Sequence, residues 1–266
     1  MSPFIARRSL LGLLAASSVS PAVLSQTVMP APVPVPVKVA VPGNLYARLE
    51  RGQATGLFLE TVAAVLEKMG RSSSFVTMPT GDALGELTRG GVGLATVVVP
   101  TPRVRQTLLL SAPVFNEFNV AVTLKGKSFP LARVSDLRGK RIAARQGFQY
   151  PLLEQDATLQ IQRHATDGEM LRSLLFGASD VAIISGISDI YTFRSEGIMK
   201  RLEVLPSSLG AVPLVAAFSK AVFSKEDVDA FNAALAQFKL SSAWQETLER
   251  NGLADLVLDW PVVSAG

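Results

Sequence analysis

The chain has 266 residues, of which 48% are hydrophobic and 18% charged, which is enough for a substantial core in one large or two small domains. The formal net charge of +4 is too small and too evenly spread to indicate nucleic-acid binding. Cysteine is absent, which excludes a disulfide framework and any cysteine-based catalytic or metal site.

Residues 1–25 have the layout of a bacterial export signal. A basic start with Arg7 and Arg8 precedes an apolar run from Leu10 to Ala16, and small residues follow. The run is shorter than the roughly 20 residues of a membrane-spanning helix, and an N-terminal core helix is the alternative interpretation. The arginine pair resembles a twin-arginine signal, and because the sequence has no cysteine, no lipid anchor on a cysteine is expected. We therefore expect a soluble periplasmic protein.

Residues 26–36 are predicted to form an extended tether. Proline alternates with small apolar residues in this segment. Because proline fixes φ and has no backbone N–H, the segment is not expected to form a central strand. The folded part of the chain is predicted to begin at Val37.

The first part of the folded chain predicts a β-α-β-α-β run. Short apolar runs bounded by Pro or Gly indicate strands, and apolar residues at helical spacing indicate helices that end at Gly. This alternation predicts a mainly parallel sheet flanked by helices. In chain order the elements are the strand VKVAVP, the helix LFLETVAAVLEKMG, the strand SSFVTMP, the helix GDALGELTRGG and the strand VGLATVVVP.

A second series continues the alternation and ends in helices. A long apolar periodicity from Lys225 to Asn251 indicates a C-terminal helical part. Together the elements predict an α/β fold of two units, with the second inserted in the first. The predicted strands are NVAVTLKG, DLRGKRIAARQG, QIQRHA, SDVAIISG and the stretch that follows LEVLP, and the predicted helices begin at YPLLEQD and DGEMLRSLLFGA.

The sequence lacks the motifs of common enzymes. Its one histidine, His164, lies in a predicted strand, where packing is the commoner role. Metal-ligand spacing, a Gly-x-Ser-x-Gly elbow and a Gly-rich phosphate loop are all missing. We therefore expect no catalytic residue, no metal and no cofactor. An enzyme on the same fold is left open, with Glu117 and Glu154 as candidate acid or base groups.

Four sequence blocks resemble the periplasmic solute-binding proteins of ABC transporters, in the family (family 3) that includes the polar amino-acid binders. They occur in the family's order between about Val37 and Leu253, and the third is the most specific. The resemblance implies a two-lobe, type II periplasmic-binding fold that closes about a hinge over a ligand in its cleft. The blocks are GLFLETVAAVLEKMG, LTRGGVGLATVVVPTPRVRQTLLLSAPVF, SDLRGKRIAARQGF and LLFGASDVAIISGISDIYTF.

The resemblance and the order of the elements together predict the domain bounds. Lobe 1 is expected to comprise residues 37–121 and 207–266, and lobe 2 residues 122–206. Each lobe is expected to be a mainly parallel sheet flanked by helices. The hinges are expected in the segments NVAVTL and PSSLGAV, where the chain crosses from one lobe to the other.

Two arginines after the third predicted strand are candidates for binding an anion. In the amino-acid binders that the chain resembles, an arginine at this place holds the ligand carboxylate through two parallel hydrogen bonds. Counting from the strand matches that position to Arg105, whereas counting back from Ser111 matches it to Val104. Arg105 is therefore the first candidate and Arg103 the second. The alternative is that both arginines are solvated loop charges.

The other expected ligand-binding residues also follow from the resemblance. Backbone N–H groups after the strand DLRGKRIAARQG are expected to receive an anion at a helix start. An aromatic residue of lobe 1 is expected against the ligand, and aliphatic residues replace hydroxyls at the end of the third strand. These expected residues are Tyr46, Val98, Gln146, Gly147, Phe148 and Gln149.

The expected ligand is anionic at one end and apolar elsewhere. Ser185 stands where the family has an aspartate that pairs with the ligand ammonium, and a neutral hydroxyl cannot balance a buried charge. Val97, Val98 and Phe148 add apolar lining. An ordinary zwitterionic amino acid is therefore disfavoured, whereas a small carboxylate, an aromatic acid or a quinone-like molecule would fit.

The expected function is capture of such a molecule by a monomeric protein that delivers it to an ABC permease. Two alternatives stay open. One is an accessory or sensor protein linked to a periplasmic quinoprotein dehydrogenase, and the other is a dehydratase-like enzyme on the same fold. Neither a nucleic-acid partner nor a metal is expected.

Overall fold

The computed structural model describes residues 35–255 and 260–264. The predicted export signal, residues 1–25, lies outside the described residues, as does the predicted tether up to residue 34. Within the described part of the chain, no helix combines the length and the apolar character that crossing a membrane requires.

Strands and helices alternate along much of the described chain, although some strands follow one another without an α-helix between them. The strands are β1 Val37–Val41, β2 Arg48–Glu50, β3 Gln53–Thr55, β4 Ser73–Thr77, β5 Leu94–Val98, β6 Leu109–Leu110, β7 Phe115–Leu124, β8 Arg141–Arg145, β9 Gln160–His164, β10 Val181–Ser185 and β11 Leu202–Phe218. The α-helices are α1 Leu57–Lys68, α2 Thr80–Arg89, α3 Pro102–Thr107, α4 Asp167–Leu175, α5 Ser188–Ser195, α6 Lys225–Lys239 and α7 Ser242–Arg250.

A nine-stranded sheet organises these elements, beside a small hairpin of β2 and β3. Its main order is β4-β1-β5-β11-β7-β10-β8-β9, with β6 paired to β11. At one end β1 runs parallel to both β4 and β5, and at the other end β8 runs parallel to both β9 and β10. The two parallel parts form two lobes, and the predicted α/β two-lobe fold is confirmed.

Two long antiparallel strands, β7 and β11, join the lobes. Their pairing runs from Leu202 opposite Leu124 to Leu214 opposite Phe115, with register shifts around Ser208. The segments predicted as hinges lie within these strands, since residues 119–124 belong to β7 and residues 206–212 to β11. That they act as hinges stays a prediction.

The lobe boundaries also stay a prediction, and one contact bears on the last of them. Residues 260–264 were assigned with lobe 1. In the structure Ser264 forms a parallel bridge with Arg133, in the segment assigned to lobe 2, and Val262 forms one with Ser208. The end of the described chain thus lies against the start of the second parallel part.

One predicted helix is wrong. The segment YPLLEQD closes a single turn, in which the backbone N–H of Glu154 donates to the carbonyl of Tyr150 at 3.0 Å. No helix follows, and residues 151–155 are turns. Asp156 accepts hydrogen bonds from the backbone N–H and the hydroxyl of Thr158, at 3.0 and 2.5 Å. This local side-chain bonding offers the backbone an alternative to helix.

The C-terminal periodicity resolves into two helices. Helix α6 begins with a capping box of Ser224 and Asp227 and ends at Lys239. After the break at Leu240 and Ser241, α7 places Trp244 edge-on to Phe238, with ring centres 6.1 Å apart. The break therefore lets the two helices pack on each other.

Candidate functional site

A cavity of about 560 Å³ lies where the two lobes meet the long strands. Its walls are loops and strand ends from both parallel parts, together with side chains of β7 and β11. This is the place where ligands bind in open α/β sheets, beyond the carboxyl ends of the strands. The lining residues are Asn44, Leu45, Tyr46, Val97, Val99, Thr101, Glu117, Asn119, Gly147, Phe148, Gln149, Ser185, Ser188, Val212 and Leu214.

Tyr46 is held in place by the start of helix α1. Its carbonyl accepts hydrogen bonds from the backbone N–H groups of Phe58 and Leu59, at 2.9 and 3.2 Å. Gly56, with φ of 98°, makes this approach possible, because a Cβ there would lie 2.5 Å from the Tyr46 carbonyl oxygen. The Tyr46 ring packs edge-on against Phe115 at 4.8 Å. Its hydroxyl therefore has a fixed position in the cavity wall.

Glu117 is a buried carboxyl group at the centre of the site. It lies on β7 opposite Val212 of β11 and is 9% exposed. Its Oε1 accepts a hydrogen bond from the backbone N–H of Ile187 at 2.9 Å. The Tyr46 hydroxyl is hydrogen-bonded to its Oε2. A single carboxyl group thus connects a loop of the first lobe with the start of α5 in the second.

Burial raises the pKa of Glu117 from its ordinary value of 4.5 to about 8. The hydrogen bond from Ile187 opposes this shift, and the nearby Asp189 carboxylate adds to it. Burial also raises the pKa of Asp189 to about 6, although the backbone N–H of Ser185 donates to its Oδ2 at 2.8 Å. At neutral pH Glu117 is therefore mostly protonated, and the cavity wall carries no fixed charge at that point.

The second lobe contributes an aromatic wall after β8. Phe148 is 48% exposed and presents its ring at the cavity. The guanidinium of Arg145 lies 5.7 Å from the centre of that ring, and Arg163 donates to the Phe148 carbonyl at 3.2 Å. The neighbouring Gln149 carbonyl accepts a long hydrogen bond, 3.4 Å, from the Asn119 side chain. The loop is therefore braced against both β7 and β9.

The end of β5 turns its two valines in opposite directions. Val97 lines the cavity and has φ of 56°, a left-handed backbone conformation that a β-branched residue rarely adopts. Val98 is 1% exposed and belongs to an apolar cluster with Leu87, Val104 and Val215. Strain of this kind costs on the order of 1 to 3 kcal/mol and tends to occur at functional sites.

The two candidate arginines do not line the cavity. They belong to the short helix α3, which Thr101 caps by accepting from the Val104 N–H at 3.4 Å, with Pro102 in its first turn. The Arg105 Nε donates to the Pro100 carbonyl at 3.0 Å, and the rest of its guanidinium has no partner among the described residues. Pro100 lies between the lining residues Val99 and Thr101, so Arg105 is attached at the cavity rim. The Arg103 side chain is exposed.

Five of the nine expected site residues line the cavity, and four do not. Gln146 lies directly after β8, where its backbone N–H donates to the His164 carbonyl at 2.8 Å. Whether any of the nine binds ligand stays a prediction. The residues in the lining are Tyr46, Gly147, Phe148, Gln149 and Ser185, and those outside it are Val98, Arg103, Arg105 and Gln146.

The sequence interpretation missed the polar face of β7. Glu117 was considered there only as a candidate acid or base for an enzyme, and Asn119 was not considered. The two residues are two positions apart and therefore share one face of the strand. Polar residues at period two in a strand of mostly apolar residues are a signal for a functional face, because such groups are seldom buried without a partner.

The sequence profile of the bacterial extracellular solute-binding proteins, family 3, matches residues 37–253. The chain belongs to this family. Among curated proteins, no similar sequence was found. The family and the fold are those of binding proteins.

Solved structures of binding domains share the fold. One is the second substrate-binding domain of a putative amino acid ABC transporter from Streptococcus pneumoniae (19% identity, 82% of this chain and 99% of that chain, TM-score 0.66). Another is the substrate-binding protein of a polar amino acid ABC uptake transporter from Streptococcus thermophilus (16% identity, 80% and 84%, TM-score 0.61). A third is a histidine kinase sensor domain with similarity to periplasmic binding proteins (18% identity, 85% and 99%, TM-score 0.61). At these identities the likeness concerns the fold alone.

Proposed function

We propose that this family member captures a small, largely apolar molecule with an anionic or oxygen-bearing end in its interlobe cavity, closes over it, and delivers it to an ABC permease in the periplasm. The observation that carries the proposal is the cavity itself, because both lobes and both joining strands contribute to its lining. A site divided in this way couples binding to closure, since a bound molecule contacts both lobes at once.

The lining supports the apolar part of this ligand class. Apolar side chains form much of the wall, and no arginine or lysine is found among the lining residues in the described chain. A zwitterion would bring two charges into a lining whose carboxyl group, that of Glu117, is mostly protonated at neutral pH, and a buried charge without a charged partner has a large cost in free energy. The apolar lining residues are Leu45, Tyr46, Val97, Val99, Phe148, Val212 and Leu214.

A thermal-shift screen tests the ligand class. We expect aromatic or aliphatic carboxylates and ketones to stabilise the protein, by about 2.7 kcal/mol at a hundredfold excess over Kd, and the common L-amino acids to give little shift. Small-angle scattering with a positive compound is expected to show a smaller radius of gyration. A clear, dose-dependent shift with an L-amino acid would contradict the ligand class, and an unchanged radius at saturation would contradict closure.

Arg105 and Arg103 form a matched pair for testing the anionic end. Attached at the rim through Pro100, Arg105 is placed to meet a carboxylate when the cleft closes. Removal of such a charge-assisted hydrogen bond costs about 1.5 to 3 kcal/mol, so Arg105→Ala is expected to weaken binding of a carboxylate ligand tenfold or more. Arg103→Ala is expected to change it less than about threefold, as for a solvated charge. Calorimetry on both variants is the measurement, and equal effects would remove the rim arginine from the proposal.

A further inference from the structure

We propose that Tyr46 and Glu117 act together as the cavity's hydrogen-bond donor for an acceptor oxygen of the ligand, and that they do so only while Glu117 carries a proton. The ligand class is then an apolar body with a carbonyl or carboxylate oxygen. Tyr46 makes the contact, and Glu117 is the positioning residue behind it. This inference rests on the proposed capture function and names the chemistry of the same cavity.

The geometry of the pair carries the inference. Both residues line the cavity, with exposed fractions of 6% for Tyr46 and 9% for Glu117. The Oε1 of Glu117 is occupied by the Ile187 N–H at 2.9 Å, and its Oε2 faces the Tyr46 hydroxyl. Tyr46 and Glu117 therefore share one hydrogen bond, and the direction of that bond decides what the hydroxyl offers to the cavity.

The direction depends on where the proton resides. A phenol has one proton to donate and two lone pairs that accept. When Glu117 is ionised, Tyr46 donates its proton to the carboxylate and has none left for a ligand. When Glu117 is protonated, the carboxyl O–H donates to the Tyr46 oxygen, and the phenol proton is free to point at a ligand oxygen. The second arrangement is the one that turns the pair into a donor.

The surroundings favour the protonated form. Asp189, on the first turn of α5, is the charged group whose field acts on Glu117 in the described chain, and it disfavours a second negative charge. The residue opposite on β11 is the apolar Val212, and the loop on the first-lobe side presents Tyr46. The charge of Asp167 adds to the rise in the pKa of Asp189, and the charge of Arg145 opposes it. With its pKa raised to about 8, Glu117 keeps its proton at neutral pH.

A cationic ligand is the rival that the same residues allow. An amine would pair with ionised Glu117 and would displace its proton. The two cases have opposite dependence on pH: binding of an acceptor oxygen weakens as Glu117 ionises, whereas binding of an amine strengthens. The sign of the pH dependence therefore separates them.

Three probes with the same phenylethyl body make the test, namely hydrocinnamate, benzylacetone and phenylpropylamine. The first two carry acceptor oxygens and do not titrate between about pH 6 and pH 9.5, so any change across this range belongs to the protein. Calorimetry is expected to show that the acid and the ketone bind with constant affinity up to about pH 7.5. Above about pH 8 the affinity for the ketone is expected to fall and to level off about tenfold below its neutral value, the loss expected for Tyr46→Phe, and the affinity for the acid is expected to fall further because ionised Glu117 repels its carboxylate.

Three variants identify the groups. Glu117→Gln keeps a donor toward Tyr46 and an acceptor for Ile187, so it is expected to bind both acceptor probes with an affinity that varies less than about threefold over the pH range. Tyr46→Phe removes the donor and is expected to weaken both probes about tenfold at neutral pH. It is expected to abolish the pH dependence for the ketone, whereas the acid keeps the part that repulsion by ionised Glu117 contributes. Tyr191→Phe removes a hydroxyl outside the cavity lining and is expected to behave like the wild-type protein.

Each outcome is decisive. If the amine binds more tightly as pH rises and neither acceptor probe binds, the inference is overturned and Glu117 belongs to a cation site. The inference is also overturned if the affinity of Glu117→Gln for the acceptor probes still depends on pH, or if none of the three probes binds. If scattering still shows closure with another compound from the thermal-shift screen, the capture function survives that failure. If no compound closes the protein, the capture function itself fails.

Discussion

Glu117→Gln is expected to make the protein more stable than the wild type at about pH 8, by roughly 4 to 5 kcal/mol, and to leave stability nearly unchanged at about pH 4. The pKa of Glu117 is about 8 in the folded protein and has its ordinary value of 4.5 in the unfolded chain. Between these values the folded protein holds a proton that the unfolded chain has released. Raising the pH through this window therefore favours unfolding of the wild type, and glutamine, which cannot ionise, escapes the loss.

Urea unfolding at a series of pH values measures this effect in the absence of ligand. The magnitude follows from the window between 4.5 and about 8, at about 1.4 kcal/mol per pH unit. Asp189 titrates in both proteins, so its direct contribution largely cancels in the difference. Glu154→Gln is the matched control, since its exposed ion pair with Arg163 is worth less than about 1 kcal/mol. A stability difference for Glu117→Gln that does not grow with pH would show that Glu117 titrates like an exposed glutamate.

Phe231→Ala is expected to destabilise the fold by about 3 to 5 kcal/mol. Phe231 lies on α6, is fully buried, and packs edge-on against Phe218 of β11 with ring centres 5.1 Å apart. Truncation leaves a cavity that the surrounding side chains fill only partially by relaxing. Because β11 also joins the lobes, this contact ties the C-terminal helices to the joining strand.

Phe176→Ala provides the control with the same change in chemistry. Phe176 is 82% exposed at the end of α4, so its truncation is expected to change the free energy of unfolding by less than about 0.5 kcal/mol. Urea unfolding of both variants at one pH is sufficient. Equal effects on the two variants would mean that α6 does not anchor the fold.

The order of the elements could be predicted because the signals for it are local. The apolar alternation of β1 and the helical spacing in α1 reflect whether each side chain faces the core, and that depends on the period of the element itself. The signals failed where a local side chain competes with the backbone, as Asp156 does after Leu153. They were also missed at α3, although a Thr-Pro pair that caps and starts a helix is a recognisable sequence signature.

Some residues of the candidate site could likewise be predicted from the sequence, and others could not. Tyr46, residues 147–149 and Ser185 could be placed in advance because the resemblance to the family matched them to its ligand-binding positions. They lie at or after strand ends, and the carboxyl ends of parallel strands meet at one edge of a sheet. The sequence also determined that Ser185 brings no charge to the site. The sequence did not determine where the Arg105 side chain lies. Its position depends on the helix α3 that carries it and on its hydrogen bond to the Pro100 carbonyl.

Only the tertiary structure decided the role of Glu117. In the sequence it is one acidic residue in a strand, and although Asn119 on the same face indicates a functional face, that pattern does not show that Glu117 is buried and protonated. Its character comes from Tyr46 and Ile187, which are far from it in the chain and are brought to it by the pairing of β7 and β11 and by the contact of the two lobes. Desolvation and the resulting protonation are properties of that assembled environment, and no pattern along the chain carries them.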